Sequence, residues 1–348
     1  MKTEEIWWTR LSNSVRFLED ARDALLSGRS VVMTFPDEVP WQDVMTDTLE
    51  QHLFPITDER SFEVHDVSES DDDPGLYLFN NFCSETERAK YWPATHGSYE
   101  KFLAASDNVR LNRRIVCITG LSVFNTSRWV KSVNEYLAGR NSDQRGIFIL
   151  VSQKVKSYST DFMECFDFEE YVSDYDCRML CLTLLSSVKC SSSRKQYISE
   201  IAAGIAKNDV TKAGILASAG LQLAMYPYET AKWLYSENGL SDENLEKHVK
   251  SAVWSAQIRL VFPEIEEFRS GMICRYEKNF ERFLPISSLL GEQIYRADDL
   301  EIGHLYILCT NHKVINQPEY DKLVLMRKFR NRLAHCDVIP YPDLNAWL

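Results

Sequence analysis

Compact runs of β-branched and other apolar residues recur along the first half of the chain, and they constrain the fold more than any other feature. We interpret five of these runs as strands: SVVMTFP (30–36), SFEVHDV (61–67), RIVCITGL (114–121), GIFILVSQ (146–153) and RMLCLTLL (178–185). Helix-like segments lie between them, for example at 12–28 and 126–139. Strands that alternate with helices predict an α/β domain with a mainly parallel sheet over residues 1–187.

The rest of the chain has helical periodicity. Residues 186–195 are serine-rich and basic and form a candidate linker, and the alanine-rich residues 188–240 predict a small helical subdomain. Residues 241–348 predict an all-α helical bundle. The expected helices of this bundle are one that ends at Pro263, one with an apolar stripe from Ile265 to Phe283, and two at 300–310 and 317–335.

Composition bounds the function and the cellular compartment. The net charge of −12 argues against broad, non-specific binding to nucleic acid or membranes, although it leaves room for a local basic cleft. The nine cysteines form no CxxC pair, which indicates neither a zinc ribbon nor a redox motif and favours a reducing cytoplasm. The start, MKTEEIWWTR, has acids where a signal peptide needs cations, so we expect a cytoplasmic protein without a membrane association.

The loop after the first predicted strand lacks the residues that bind a nucleoside triphosphate. A phosphate-binding loop needs glycines, whose backbone N–H groups reach the phosphates, and a lysine. Here the loop is PDEVPW (36–41), with two acids and neither glycine nor lysine. The motifs GxGxxG, GxSxG and HExxH are also absent from the sequence. The element order resembles a P-loop ATPase-like α/β domain that has lost its phosphate loop, and we expect no cofactor and no metal.

A basic stretch near the C-terminus, RKFRNRLAHCD (327–337), contains the pattern R-N-x-x-x-H at Arg330, Asn331 and His335. Together with the long amphipathic helix before it, the pattern resembles the signature of the HEPN domain family over roughly residues 245–348. That resemblance implies a HEPN-like helical bundle and a metal-independent endoribonuclease that works as a homodimer. Joined to a sensor-like front domain, it also implies a toxin-like or antiphage defence effector that the N-terminal domain regulates.

The chemistry of these side chains fits the resemblance. Asn331 and His335 are four residues apart and share one helical face; Arg330 lies on the other side of that face and is expected in the same groove if the last turn of the helix loosens. An arginine holds a phosphate bidentately, and a histidine can move the proton of a ribose 2′-OH or of the leaving 5′-oxygen. Arg330 and His335 are therefore the candidate catalytic residues, with Asn331 in support. The candidate RNA-binding residues, which would hold flanking phosphates, are Arg327, Lys328 and Arg332.

Two plainer interpretations remain open. Cations in the last turn of a helix are favoured by the helix dipole alone, and His335 can serve as a C-terminal cap. In that case Arg327 and Arg332 would pair with Glu319 and Asp321 or with solvent. The second alternative is a non-catalytic scaffold, in which the helical bundle dimerises or docks a protein partner in a defence complex and the front domain is a pseudo-ATPase surface.

Overall fold

The computed structural model describes residues 2–54, 60–141, 144–153, 159–287, 291, 293–345 and 347. The chain divides into two compact units, residues 1–176 and residues 177–348, which are described in turn. Among the described residues, no helix combines the length and the apolar content that crossing a lipid bilayer requires.

The first unit is an α/β domain. Its elements in chain order are α1 (Thr3–Arg10), α2 (Ser12–Leu26), β1 (Ser30–Phe35), α3 (Gln42–His52), β2 (Ser61–Asp66), α4 (Pro74–Phe82), α5 (Glu85–Arg88), α6 (Pro93–His96), α7 (Tyr99–Ala105), β3 (Arg114–Leu121), α8 (Val123–Ala138), β4 (Ile147–Gln153), β5 (Met163–Asp167) and α9 (Phe168–Tyr171). The strands form one sheet in the order β2-β3-β4-β1-β5, and each neighbouring pair is parallel. The predicted α/β class and parallel sheet are therefore confirmed.

The apolar content of each strand matches its place in the sheet. All six residues of β1 are buried, because β1 lies between β4 and β5 and helices pack on the sheet. The edge strand β2 is partly exposed along its length. A core of aromatic and branched side chains, including Phe79, Trp129 and Phe148, packs between the sheet and its helices. The four strands predicted at 30–36, 61–67, 114–121 and 146–153 are confirmed.

The prediction of a fifth strand at 178–185 is wrong. Those residues belong to a helix, α10 (Asp174–Leu184), and the fifth strand is β5 at 163–167. In α10 the side chains of Cys177, Leu180 and Cys181 are buried, whereas Met179 is 45% exposed. Burial at every third or fourth position is typical of a helix. A short run of apolar residues fits a helix or a strand equally well, so the sequence of the run alone does not distinguish them. The alternating MECFD was too short and too polar to be recognised as an edge strand.

The second unit is largely helical, as predicted. After a short 3₁₀ turn its elements are α11 (Ser192–Ala206), α12 (Val210–Ser218), α13 (Leu221–Met225), α14 (Pro227–Glu237), α15 (Leu245–Glu281), β6 (Ile286–Ser287), β7 (Gln293–Ile294), α16 (Ile302–His312), α17 (Gln317–Ala334) and α18 (Tyr341–Asn345). The short strands β6 and β7 form an antiparallel pair. Helices α11 and α15 pack along each other, and α15 also contacts α17.

The prediction that a helix ends at Pro263 is wrong. Pro263 lies inside α15, which is 37 residues long. A proline inside a helix removes one backbone hydrogen bond, and here the apolar faces before and after it, with buried Val261 and Ile265, keep the helix together across that gap. The helix is interrupted further along, where Tyr276 has non-helical dihedral angles of φ −116° and ψ 17°.

Candidate functional site

The basic stretch ends α17 through a specific backbone geometry. The N–H of Asp337 donates to the carbonyl of Arg332 at 3.0 Å, and the N–H of Cys336 donates to that of Leu333 at 3.2 Å. These two bonds form a Schellman motif, in which Cys336 takes the left-handed position with φ +57°. His335 therefore occupies the capping position at the end of the helix, and its N–H donates to the Asn331 carbonyl at 3.2 Å.

The imidazole of His335 is accessible to solvent and unengaged among the described residues. His335 is exposed to solvent, and its side chain makes no hydrogen bond or ion pair with any residue that the structure describes. The plainer interpretation of His335 as a C-terminal cap agrees with its position, but the capping contacts are made by its backbone and leave the ring unused. The side chain is thus accessible for proton transfer with a ligand from solution.

Arg330 contacts Asn331 but is already paired with an acid. One guanidinium nitrogen lies 3.3 Å from a carboxylate oxygen of Glu301, which stands at the start of α16. The other terminal nitrogen lies 3.5 Å from Oδ1 of Asn331, at the long limit for a hydrogen bond. In the described part of the chain, no hydrogen bond or ion pair joins His335 to either of these side chains. The structure therefore brings Arg330 and Asn331 together and leaves His335 beside them at the helix end.

The three predicted RNA-binding cations also have partners within the second unit. The guanidinium of Arg327 lies 4.2 Å from the ring centroid of Tyr306, Lys328 pairs with Asp343 at 2.8 Å, and Arg332 pairs with Asp337 at 3.0 Å. The acids expected as alternative partners are engaged elsewhere.

Glu319 pairs with Arg275 and accepts from the hydroxyl of Tyr276, and Asp321 accepts from Gln317 at 2.8 Å. The expected pairing of Arg327 and Arg332 with Glu319 and Asp321 is therefore wrong, because the packing of α17 brings Tyr306 to Arg327 and the chain reversal after α17 brings Asp337 to Arg332.

Apolar side chains of α17 and hydrogen bonds from two residues of α15, Trp254 and Gln257, hold the end of α17 and the segment after it in place. Phe329 and Leu333, which are four residues apart on one face of the helix, are both fully buried. The indole N–H of Trp254 donates to the carbonyl of Leu333 at 2.9 Å and is a second donor to this carbonyl, which also accepts from the N–H of Cys336. Gln257, which is 1% exposed, accepts from the N–H of Ile339 at 2.7 Å and donates to its carbonyl at 2.9 Å.

A further cation comes from α15. The hydrogen bond from Arg332 holds the pKa of Asp337 below its usual range, and the charge of Lys250 acts in the same direction. Lys250 therefore lies close enough to the end of α17 to add to its positive field. Sequence reasoning missed Lys250, Trp254, Gln257 and Glu301, because they are distant in sequence and no local motif marks them.

The chemistry available at this site is acid–base catalysis with cationic support. Among the described residues, no group of three or more His, Cys, Asp or Glu side chains is arranged to hold a metal ion. An exposed imidazole, a guanidinium and an amide at one helix end can bind a phosphodiester and move protons on it. No protein-family model matches the sequence, and no curated protein shows a significant match to it.

Proposed function

We propose that this protein is a metal-independent endoribonuclease of the HEPN class that cleaves RNA at the end of α17. The observation that carries the proposal is the unengaged, solvent-exposed imidazole of His335 at the end of the helix on which Arg330 and Asn331 touch. The likeness of R-N-x-x-x-H to the HEPN signature supports the same reaction.

In the proposed reaction a histidine takes the proton of the ribose 2′-OH, and the 2′-oxygen attacks the adjacent phosphorus. The bond from phosphorus to the 5′-oxygen breaks, the 5′-oxygen receives a proton, and a 2′,3′-cyclic phosphate remains on the upstream fragment. Arg330 stabilises the charge on the phosphoryl oxygens, and Asn331 orients the phosphate. Since one imidazole does not serve easily as acid and base in a single step, a homodimer would supply the second His335.

Phosphate binding requires Arg330 to exchange Glu301 for the substrate. The ion pair is exposed, and such pairs contribute about 1 kcal/mol or less, so the exchange costs little. The same holds for the pairs of Lys328 and Arg332, which are also partly exposed. As part of this proposal, the protein is an antiphage or toxin-like effector that its N-terminal unit regulates.

Purified full-length protein incubated with total RNA in EDTA tests the proposal. We expect fragments with 2′,3′-cyclic phosphate ends, no cleavage of DNA of the same sequence, and a rate about 10²–10⁴-fold lower for His335→Ala. His312→Ala is the matched control, since His312 is also an exposed histidine at the end of a helix. Undiminished cleavage by His335→Ala would falsify the proposal.

The role of Arg330 has its own test. Arg330→Ala should slow cleavage, whereas Arg296→Ala should not, because Arg296 is an exposed arginine whose ion pair is with Asp298. Conversely, Glu301→Gln frees Arg330 and should raise the affinity for RNA severalfold, and Asp298→Asn is its control. An unchanged affinity for Glu301→Gln would show that Arg330 does not bind the phosphate.

The second candidate is the non-catalytic scaffold. It is favoured by the finding that Arg327, Lys328, Arg330 and Arg332 each have a partner within the chain. A scaffold predicts no RNA cleavage under any of these conditions and a dimer, measured by analytical ultracentrifugation, that persists in His335→Ala. Cleavage that disappears with His335 would exclude it.

A further inference from the structure

The acidity of this protein belongs to its first unit. Residues 1–176 contain 31 acidic and 18 basic residues, a balance of −13, whereas residues 177–348 contain 20 acidic and 21 basic residues, a balance of +1. The net charge of −12 therefore says nothing against RNA binding by the second unit. It raises the separate question of what the negative charge of the first unit is for.

Much of that charge lies at one edge of the sheet. Because the strands are parallel, their carboxyl ends share an edge, and the loops after β1 and β2 both lie along it. We call the following carboxylates the acidic rim: Asp37, Glu38, Asp66, Glu69, Asp71, Asp72 and Asp73. Among the described residues, the one cation paired with the rim is Arg128, which lies 3.5 Å from Asp73. Lys154 and Lys156 follow β4 in the sequence and lie outside the described residues.

The rim has an electrostatic effect on its surroundings. The pKa of Tyr77 is raised, first by burial and then by the charges of Asp66 and Asp72. Asp37 and Glu38 are exposed and make no hydrogen bond or ion pair with the described part of the chain. The rim thus presents negative charge that the described residues of the first unit leave largely uncompensated.

A cleft opens between these loops. It has a volume of about 390 Å³, and its lining includes Asp37, Glu38, Ser68, Gly120 and Ser122. In an open parallel sheet this crevice is the usual place for a ligand. Two carboxylates in its lining repel a phosphate and attract a cation, so the described part of the cleft favours a positively charged group over a phosphate.

Exposed apolar side chains lie beside the cleft. Ser122 lines it, and the next two residues, Val123 and Phe124, begin α8 with 47% and 90% of their surface exposed. The ring of Phe124 therefore contributes almost nothing to the core of the unit. An exposed aromatic side chain next to a charged groove is typical of a protein–protein contact, where aromatic residues supply most of the binding free energy.

We propose that the acidic rim together with Phe124 is a docking site for a lysine- or arginine-rich segment of a partner protein. The cations of the segment would lie against Asp37 and Glu38 in the cleft, and an apolar side chain between them would contact Phe124. The negative charge of the rim favours a segment with positive side chains over a neutral or acidic one. The proposal does not depend on RNA cleavage by the second unit.

Fluorescence anisotropy with the full-length protein tests this docking site. The probe is a fluorescein-labelled lysine-rich peptide with one central leucine, and the comparison peptide has glutamate at each lysine position. We expect the lysine peptide to bind with an affinity that falls steeply as salt is added, and we expect the glutamate peptide not to bind. Phe124→Ala and the double variant Asp37→Asn/Glu38→Gln should each weaken binding about tenfold.

Matched controls separate the site from general acidity. Asp47→Asn/Glu50→Gln removes the same charges from the exposed face of α3, and Trp92→Ala removes another aromatic side chain that is 66% exposed. Both controls should bind the peptide as the wild type does, and all variants should keep the wild-type melting temperature. Equal binding by the rim variants and the wild type, or no binding by the wild type, would overturn the proposal. So would spermidine competing as strongly as the peptide, or sedimentation showing a second copy on the same face.

Discussion

The indole of Trp254 donates a hydrogen bond to the carbonyl of Leu333, 2.9 Å away, and so fixes the last turn of the helix that ends at His335. Trp254→Phe keeps an aromatic ring, although a smaller one, and removes the donor, and the lost hydrogen bond should lower the free energy of unfolding by about 1 kcal/mol. Chemical denaturation measures the change. Trp233→Phe is the control, because Trp233 is 55% exposed, and it should have no measurable effect.

Gln257→Leu should be more damaging than Trp254→Phe. It leaves both the N–H and the carbonyl of Ile339 without their partner in a buried place, and the expected loss of stability is about 2–4 kcal/mol. Tyr197→Phe removes only the hydroxyl that accepts from the Gln257 amide, and about 1 kcal/mol is expected. A Gln257→Leu protein no less stable than Tyr197→Phe would contradict this account of the segment after His335.

Cys336→Gly should stabilise the protein. Cys336 has φ +57°, a conformation that costs a non-glycine residue about 1 kcal/mol and that glycine adopts freely. The side chain is exposed, so little packing is lost. We expect a melting temperature a few degrees above that of the wild type, while Cys336→Val should lower it. A decrease with glycine would mean that the sulfur makes a favourable contact.

Gly120→Ala should strongly destabilise the edge of the sheet that carries the acidic rim. Gly120 has φ +76°, and a Cβ there would lie 2.4 Å from a carboxylate oxygen of Asp66 and 2.7 Å from the backbone nitrogen of Ser68. We expect a loss of about 3 kcal/mol, from the conformation and the clash together. Gly239→Ala shares the positive φ but meets no atom within 4 Å, so about 1 kcal/mol is expected there. Equal losses in the two variants would contradict the clash.

The ion pair of Asp337 with Arg332 should make stability depend on pH in the acidic range. The pKa of Asp337 is lowered in the folded chain, first by the hydrogen bond from Arg332. A carboxyl group of this kind contributes stability above the ordinary aspartate pKa of about 3.9 and loses that contribution as the pH falls through the folded value. Asp337→Asn should therefore be less stable than the wild type at neutral pH, and the difference should shrink toward pH of about 3. A difference that grows on acidification would have the wrong sign.

The sequence by itself determined the buried strands and the helical second half. In β1, β3 and β4 the apolar run is nearly continuous, which is the pattern expected of a strand that is covered on both faces. Phe329 and Leu333, four residues apart in the sequence, likewise lie on the buried face of α17. Such patterns depend only on neighbours along the chain, so they can be read without knowing the fold.

Only the tertiary structure decided whether residues 178–185 form a strand or a helix. It alone also decided which side chains the basic stretch at 327–337 contacts. A run such as RMLCLTLL satisfies either a strand or a helix, and packing selects between them. Glu301 and Trp254 contact α17 from positions 29 and 79 residues away, and Gln257 contacts Ile339, after α17, from 82 residues away. Which surfaces meet at such separations depends on how whole helices pack. The sequence could therefore propose His335 only as a candidate, while the fold showed that its imidazole has no hydrogen bond or ion pair among the described residues and that Arg330 is paired with Glu301.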